Sequence, residues 1–475
     1  MIEPYRIVSV ALFTQPLRAR LPFRYGITTM TEMPHVFLQV ELATGRRVSR
    51  GLAADHLPPK WFTKDPDAPI GAEIETMRRV ITHAGSLVRG VSFTSVFELW
   101  RDLWVAQSRW ARSQGHPPLL AHFGTSIVER AVIDAFCRIE GLTFAECIRS
   151  NRLGIKFSEI DASIPPNWLE LLPTAPLSSV VARHTIGLVD TIFESDLPAT
   201  DGRPDDGLPQ SLEAAVRDYG LREFKVKIAG NGDQDEARVS EVISCLEKNA
   251  DAHWRFSVDG NENFMEAGAF RAYWERLSAV PALRRNLDRL MFIEQPLRRS
   301  VALSTNADWR SWPSAPPITI DESDGDLDDV PKSLALGYAG STHKNCKGVI
   351  KGILNRCRLL MAAALPGRKM MMSGEDLTNI GPVALPQDLV MQSVLGNRSV
   401  ERNGHYYFRG LSMWPEHVQH AMLEAHPDLY EKQADLCTVR IKEGRIQLDS
   451  VLLAPFGYCI SLDPRTFCST AEEIR

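Results

Sequence analysis

Lys225 and Lys227 stand one residue apart inside the apolar run Phe224-Lys225-Val226-Lys227-Ile228. Side chains of a strand alternate between its two faces, so both ammonium groups point the same way and repel each other. Three later runs end in carboxylates: Val258-Asp259-Gly260-Asn261, Phe292-Ile293-Glu294-Gln295-Pro296 and Ile318-Thr319-Ile320-Asp321-Glu322-Ser323. A second lysine pair closes the series in His343-Lys344-Asn345-Cys346-Lys347-Gly348. Asp259, Glu294 and Asp321 gathered on one divalent cation would account for lysines inside apolar strands. An all-oxygen donor set suits Mg²⁺, with Mn²⁺ as a substitute.

The combination suits proton transfer at carbon. A carbon acid beside a carboxylate ionises only if the second negative charge on the same oxygens is stabilised, which a divalent cation does as a Lewis acid. The base must be neutral near pH 7. Repulsion between Lys225 and Lys227, with the field of the metal, is expected to lower the proton affinity of the lysine into that range. Lys347 would act on Lys344 in the same way. Lys227 and Lys344, from opposite sides of one opening, would then serve the two faces of a substrate.

These residues need a frame that brings distant segments to one rim. From about residue 178 the pattern alternates strand and helix, with strand-like runs at 179–186, 225–228, 254–259, 291–294, 318–321, 340–344, 369–373 and 404–409. Eight such runs indicate a (β/α) barrel, whose catalytic groups cluster at the C-terminal ends of the strands. Asp233 and Glu236 have the spacing of a capping box for the helix after Lys227. The segment before the barrel reads as strands at 6–13 and 36–42 around a loop at 21–30, followed by helices at 72–88, 96–110 and 123–139. This gives an α+β unit over 1–140, a barrel over 141–434 and a tail over 435–475. Strand-like runs at 438–441, 445–448 and 458–462 assign the tail to the N-terminal unit. A Pro-, Gly- and Asp-rich insertion at 194–210 is expected to loop over the barrel mouth.

The bulk composition excludes several classes. The 475 residues are 44% hydrophobic and 24% charged, an ordinary globular mixture. A net charge of -5 and the lack of a basic stripe exclude a nucleic-acid partner. No apolar run approaches the roughly 18–20 residues that span a bilayer, and the first residues lack a signal-peptide profile. None of the eight cysteines forms a Cys-x-x-Cys pair, so free thiols in a cytoplasmic protein are expected, with Cys346 inert. His343 and His405 are read as structural.

Taken in order, Lys225-x-Lys227, Asp259-x-Asn261, Glu294-Gln295-Pro296, Asp321-Glu322-Ser323 and Lys344-x-x-Lys347-Gly348 resemble the enolase superfamily, in its muconate lactonizing enzyme-like branch. Mandelate racemase fits less well, because it uses a histidine on a later strand as its second base. Ser126-x-x-Glu129-x-Ala131-x-x-Asp134 resembles the family's junction helix, and 444–463 its C-terminal return. The resemblance implies a modified (β/α)7β TIM barrel with an N-terminal α+β capping domain completed by the C-terminal tail. It implies Asp259, Glu294 and Asp321 as metal ligands, Lys227 and Lys344 as the acid/base pair, and Lys225 as the group that tunes Lys227. Arg24, Tyr25 and the loop at 51–61 would close over the substrate, with Asn261, Lys347, Glu375 and Asp376 facing it; Asn261 otherwise only closes its turn.

The implied activity is Mg²⁺-dependent abstraction of the α-proton of a small carboxylate through an enediolate, by an isomerase or lyase that forms a homo-oligomer. Racemisation, epimerisation or cycloisomerisation lead, with dehydration of a sugar acid or other hydroxy acid as the alternative. Three departures stand out. Gly348-Val349 replaces the usual Gly-Gly, Asp259 and Glu294 are far apart, and Arg402-Asn403-Gly404-His405 stands where dipeptide epimerases carry Asp-x-Asp. Two other classes compete. A barrel glycosidase would use Glu294 with Asp259 or Asp321 but leaves the lysine pairs unexplained. A non-catalytic barrel would keep its metal site for stability.

Overall fold

The computed structural model describes residues 3–198 and 204–474. Strands β1 (Tyr5–Tyr25), β2 (Thr28–Thr44) and β3 (Arg47–His56) form an antiparallel meander, and β4 (Ser92–Phe93) pairs with the start of β1. Val36, Leu38, Val40 and Leu42 recur with the period of two that buries one face of a strand, and all are buried. The segment read as a loop is instead a tight hairpin that turns at Gly26, where φ is +49°. Helices α1 (Ile70–Val88), α2 (Val96–Ser113) and α3 (Pro118–Glu140) complete this unit.

Helix α3 lies so close to β3 that a Cβ on Gly51 would stand 2.2 Å from the Ala131 carbonyl oxygen. Its two junction acids reach beyond the unit. Glu129 accepts hydrogen bonds from the backbone N–H groups of Val349 (3.0 Å) and Ile350 (2.7 Å), which open the barrel helix Val349–Ala363. Asp134 accepts from Leu52 N (2.9 Å) and from the hydroxyl of Tyr458 (2.6 Å) in the tail. One helix therefore joins cap, barrel and tail.

The barrel strands are β5 (Ser179–Ile186), β6 (Glu223–Lys227), β7 (Arg255–Asp259), β8 (Leu290–Glu294), β9 (Ile318–Ile320), β10 (Gly340–His343), β11 (Met371–Gly374) and β12 (Ser399–Arg402). All neighbours are parallel, and β12 returns to β5 to close the cylinder. The long spacing before Glu294 holds an extra short helix, Pro281–Arg284, after Ala267–Ser278. No helix among the described residues is long and apolar enough to cross a membrane.

Three local expectations are corrected. The eighth strand is Ser399–Arg402, and Gly404–Tyr407 is a short helix, because the apolar aromatics there pack under the cap instead of entering the sheet. Asp233 and Glu236 bond Arg276 at the surface; Asp235, which accepts from Ala229 N (2.8 Å) and Asn231 N (2.9 Å), holds that helix start. The tail serves both units. Its β13 (Tyr430–Gln433) and β14 (Leu436–Val439) form a separate hairpin, β15 (Arg445–Gln447) pairs with β5, and β16 (Thr470–Glu473) joins the capping sheet beside β1. The run at 458–462 is irregular. Of the insertion at 194–210, positions 199–203 lie outside the described residues, and Asp206 beyond them is held by Arg20 of β1 at 2.8 Å.

Candidate active site

Register explains why the acids and lysines meet. Lys227 pairs with Asp259 and Asp259 with Glu294, so three successive strand ends stand at one level. Thr319 pairs with Glu294, and Asp321 follows two residues later. The Gln295 carboxamide fixes the next loop: its oxygen accepts from Asp321 N (2.7 Å) and Ser323 N (3.2 Å), and its nitrogen donates to the Ser323 hydroxyl (2.7 Å).

Lys225 is buried among four carboxylates. Its Nζ lies 2.7 Å from Glu294, 2.8 Å from Glu375, 3.1 Å from Asp259 and 3.2 Å from Glu401. Burial disfavours the ammonium form, but Asp259, Glu294, Glu375 and Glu401 outweigh it and hold Lys225 protonated far above the ordinary lysine range. Lys225 therefore keeps its charge despite its like-charged neighbour, because acids from four strand ends face it. Lys227 donates to Asp259 Oδ2 (2.7 Å) and Asn261 Oδ1 (3.3 Å). Lys344 lies 2.5 Å from Asp321 Oδ2 and 4.5 Å from the ring centre of Trp61. Against its burial, Asp321 keeps it protonated well above the usual range.

The acids respond to the same balance. Burial opposes the charge on Asp259, yet Lys225 and Lys227 hold its carboxyl down at about 2. Asp321, against burial, is held well below the ordinary range by Lys344 and Lys347. Glu294 goes the other way: burial raises its proton affinity, and Asp259 and Glu375 add to it. Glu375 is pushed up to about 7 by burial, partly offset by Arg183 and Lys225.

A pocket opens above these groups, walled on the cap side by Phe23, Tyr25, Met33, Pro58 and Trp61. On the barrel side it is lined by Lys225, Lys227, Asp259, Asn261, Asp321, Glu322, Lys344, Asp376, Leu377, Thr378, Glu401 and Asn403. Lys227 and Lys344 stand on β6 and just beyond β10, half the barrel apart, and both line this one pocket.

Several expected site residues are placed differently. Arg24 points to solvent between the buried Phe23 and Tyr25, since neighbours on a strand cannot face the same way. Lys347 does not line the pocket; its Nζ donates to Asp321 O (2.7 Å), Asp321 Oδ1 (2.8 Å) and the Thr342 hydroxyl (2.9 Å). Glu375 lies below the floor, bonded to Lys225, Ser373 and Arg183. Tyr25, Asn261 and Asp376 line the pocket as expected. Asp321 and Glu322 both reach it, because β9 ends at Ile320 and alternation no longer governs them. Glu401 and Asn403 were hidden by the misplaced eighth strand. Their signal was the run Ser399-Val400-Glu401-Arg402, where a β-branched residue precedes the acid.

Among the described residues, no group of three or more His, Cys, Asp or Glu side chains is arranged to hold a metal ion. The expected trio is therefore not drawn around one point: Lys225 stands between Asp259 and Glu294, and Lys344 and Lys347 hold Asp321. The donor chemistry still fits a hard divalent cation, since all three are buried carboxylates, although Glu294 Oε2 is already ion-paired with Lys225 Nζ at 2.7 Å.

No family model matches the chain, and no curated protein sequence matches it. Solved structures do share its fold. A muconate lactonizing enzyme from Pseudomonas fluorescens, complexed with muconolactone, is similar at 15% identity over 98% of each chain, with a TM-score of 0.59. An L-talarate dehydratase from Polaromonas, complexed with Mg and L-glucarate, matches at 14% identity over 99% of each chain, with a TM-score of 0.57. An enolase from Bradyrhizobium, complexed with magnesium and mandelic acid, matches at 14% identity over 94% of each chain, also with a TM-score of 0.57. The likeness is one of fold: this chain shares with these structures a modified TIM barrel and a capping domain.

Proposed function

We propose that the chain is an enolase-superfamily enzyme that moves a proton at the α-carbon of a small carboxylate, as an isomerase in the first instance. The observation that carries this reading is the placement of Lys227 and Lys344 on opposite walls of one pocket. An α-carbon held between them loses its proton to one lysine in its neutral form and regains it from the other, charged, on the opposite face, which inverts the centre; Asp321 holds Lys344 in the charged, donating form. Lys225 neutralises part of the acid cluster and keeps Glu294, Glu375 and Glu401 in place. Asp259, Glu294 and Asp321 would hold Mg²⁺, which when bound supplies Lewis-acid stabilisation of a carboxylate that gains charge.

The cap wall narrows the substrate class. Phe23, Tyr25, Met33, Pro58 and Trp61 offer apolar surface, and the Tyr25 hydroxyl is already committed to Pro59 O at 2.9 Å. Buried substrate hydroxyls would find no partner there, and an unpaired buried polar group costs about 1–3 kcal/mol. The cap wall thus suits an apolar or aromatic substituent, whereas substrate hydroxyls could bind only on the barrel side, to groups such as Asn261, Thr378 and Asn403; dehydration of sugar acids is the second reading. A homo-oligomer and a cytoplasmic setting belong to the same reading, the latter in keeping with the free cysteines.

The test is solvent deuterium exchange at the α-carbon across arylaliphatic, alkyl and polyhydroxy acids with Mg²⁺ present. Exchange confined to the first two classes, and lost for one enantiomer in Lys227→Ala and for the other in Lys344→Ala, is the expected result. Exchange that survives both substitutions overturns the assignment. A rise in melting temperature with Mg²⁺, but no exchange with any acid, would point to a non-catalytic metal-binding barrel.

A further inference from the structure

The turn after β7 has an unusual backbone. Asn261 and Glu262 both lie in the left-handed region, with φ of +46° and +59°. Successive non-glycine residues keep that conformation only where their surroundings enforce it. Two basic side chains do so. Lys64, from the capping unit, donates to Asn261 O and lies 3.7 Å from Glu262 Oε2. Arg299, just beyond β8, uses its backbone N–H (2.7 Å), Nε (2.8 Å) and Nη2 (2.7 Å) on the buried Glu262 carboxylate.

The same guanidinium reaches the cap. Its Nη1 donates to Phe62 O (2.6 Å) and its Nη2 to Trp61 O (2.7 Å). Each end of this connection leads to one lysine of the pocket. Trp61 lies over Lys344, at 4.5 Å from ring centre to Nζ. Asn261 accepts from Lys227 at 3.3 Å and donates its backbone N–H to Asp259 at 2.9 Å.

We propose that Arg299 and Glu262 form a latch that makes docking of the capping loop and shaping of the Asp259–Glu262 turn one event, with Arg299 as a positioning residue for both lysine sites. The loop can seat Trp61 over Lys344 only when the turn that carries Asn261 to Lys227 is also formed. The planar fork of arginine is what permits contact with the carboxylate and two carbonyls at once; a lysine has no such geometry. The catalytic consequence rests on the function proposed above, whereas the structural coupling does not.

Amide hydrogen exchange read by mass spectrometry on segments 57–65 and 259–265 separates the two. In Arg299→Gln and Arg299→Lys, both segments are expected to exchange at least about tenfold faster, and by similar factors. Lys64→Met, made at the rim in case the arginine variants fail to fold, is expected to loosen the barrel turn as well as its own loop. Faster exchange in the cap loop alone, or in neither segment, overturns the latch. For an acid that the unaltered protein exchanges, Arg299→Lys is expected to lower kcat as well as raise KM; a change in KM alone overturns the positioning role. If no acid exchanges with the unaltered protein, the proposed function fails while hydrogen exchange still decides the latch.

Discussion

Lys225 on β6 and Glu401 on β12 lie 3.2 Å apart, on either side of β5, where the barrel closes. The ammonium group is thus shared by the first and last parts of the cylinder, and closure of the barrel is what neutralises the acids on its floor. Glu401 is in turn fixed by the Thr185 hydroxyl (2.5 Å) from the strand between them.

Removing Lys225 should therefore destabilise the fold itself. Lys225→Met leaves Glu294, Glu375, Glu401 and Asp259 buried together without their shared cation. Breaking a buried charge network from one side costs about 3–5 kcal/mol, and urea unfolding at neutral pH should show a loss of that size. A loss below about 1 kcal/mol would mean the four acids are neutralised by other groups.

Opposed lysines make a stereochemical prediction. Lys227→Ala should abolish exchange of one enantiomer of an active acid and Lys344→Ala that of the other, each by about 10²–10⁴-fold, the usual contribution of general acid–base catalysis. Proton NMR of each enantiomer in D₂O measures this. Equal loss of both enantiomers in both variants would place the two lysines on the same step.

Binding of Mg²⁺ should stabilise the folded state. At about 100 times its dissociation constant a ligand adds about 2.7 kcal/mol, seen as a rise in melting temperature that EDTA reverses. Glu294→Gln should remove most of that rise by replacing a ligand carboxylate with a weak amide oxygen. An unchanged rise in the variant would exclude Glu294 as a ligand.

The capping sheet carries a pH dependence of its own. His35 and His56 are buried cross-strand partners with ring centres 4.6 Å apart, and the Thr378 backbone beside His56 only partly offsets its burial. Burial lowers the His56 value to about 3 and that of His35 well below the usual range, so both are neutral when folded. The unfolded chain binds protons at these rings from about pH 6.5 downward. Their contribution to stability is therefore intact above that pH and is lost as the pH falls toward about 3. Carboxyls raised by burial, such as Asp55 at about 6, act with the opposite sign, so the difference between two proteins is the useful quantity. Relative to His56→Phe, the unaltered protein should lose about 1.4 kcal/mol per pH unit between pH 6 and 4. Parallel curves would show that His56 stays protonated or becomes solvated in the fold.

The chemistry at the strand ends is local, and for that reason it can be read in the sequence. Lys227, Asp259, Glu294, Asp321 and Lys344 each close an apolar run, and the alternation of strand and helix leaves few frames other than a closed parallel barrel. The helical spacing at 123–139 is equally local, though the all-round burial of α3 shows only once β3, the barrel helix and the tail pack against it.

What the sequence could not decide depends on partners far along the chain. The repulsion between Lys225 and Lys227 is visible in five residues, whereas the four carboxylates that offset it at Lys225 come from the ends of β7, β8, β11 and β12. Arg24 and Tyr25 look equally suited to a substrate until the strand they share turns one of them to solvent. Glu401 emerges only when closure against β5 sets the register of the last strand, and Arg299 gains its role from carbonyls more than two hundred residues earlier. Residue type and spacing determine which groups are available. Charge balance, proton affinity and the identity of the pocket wall are decided by long-range register and burial, because electrostatic interactions depend on distance in space and on exclusion of water.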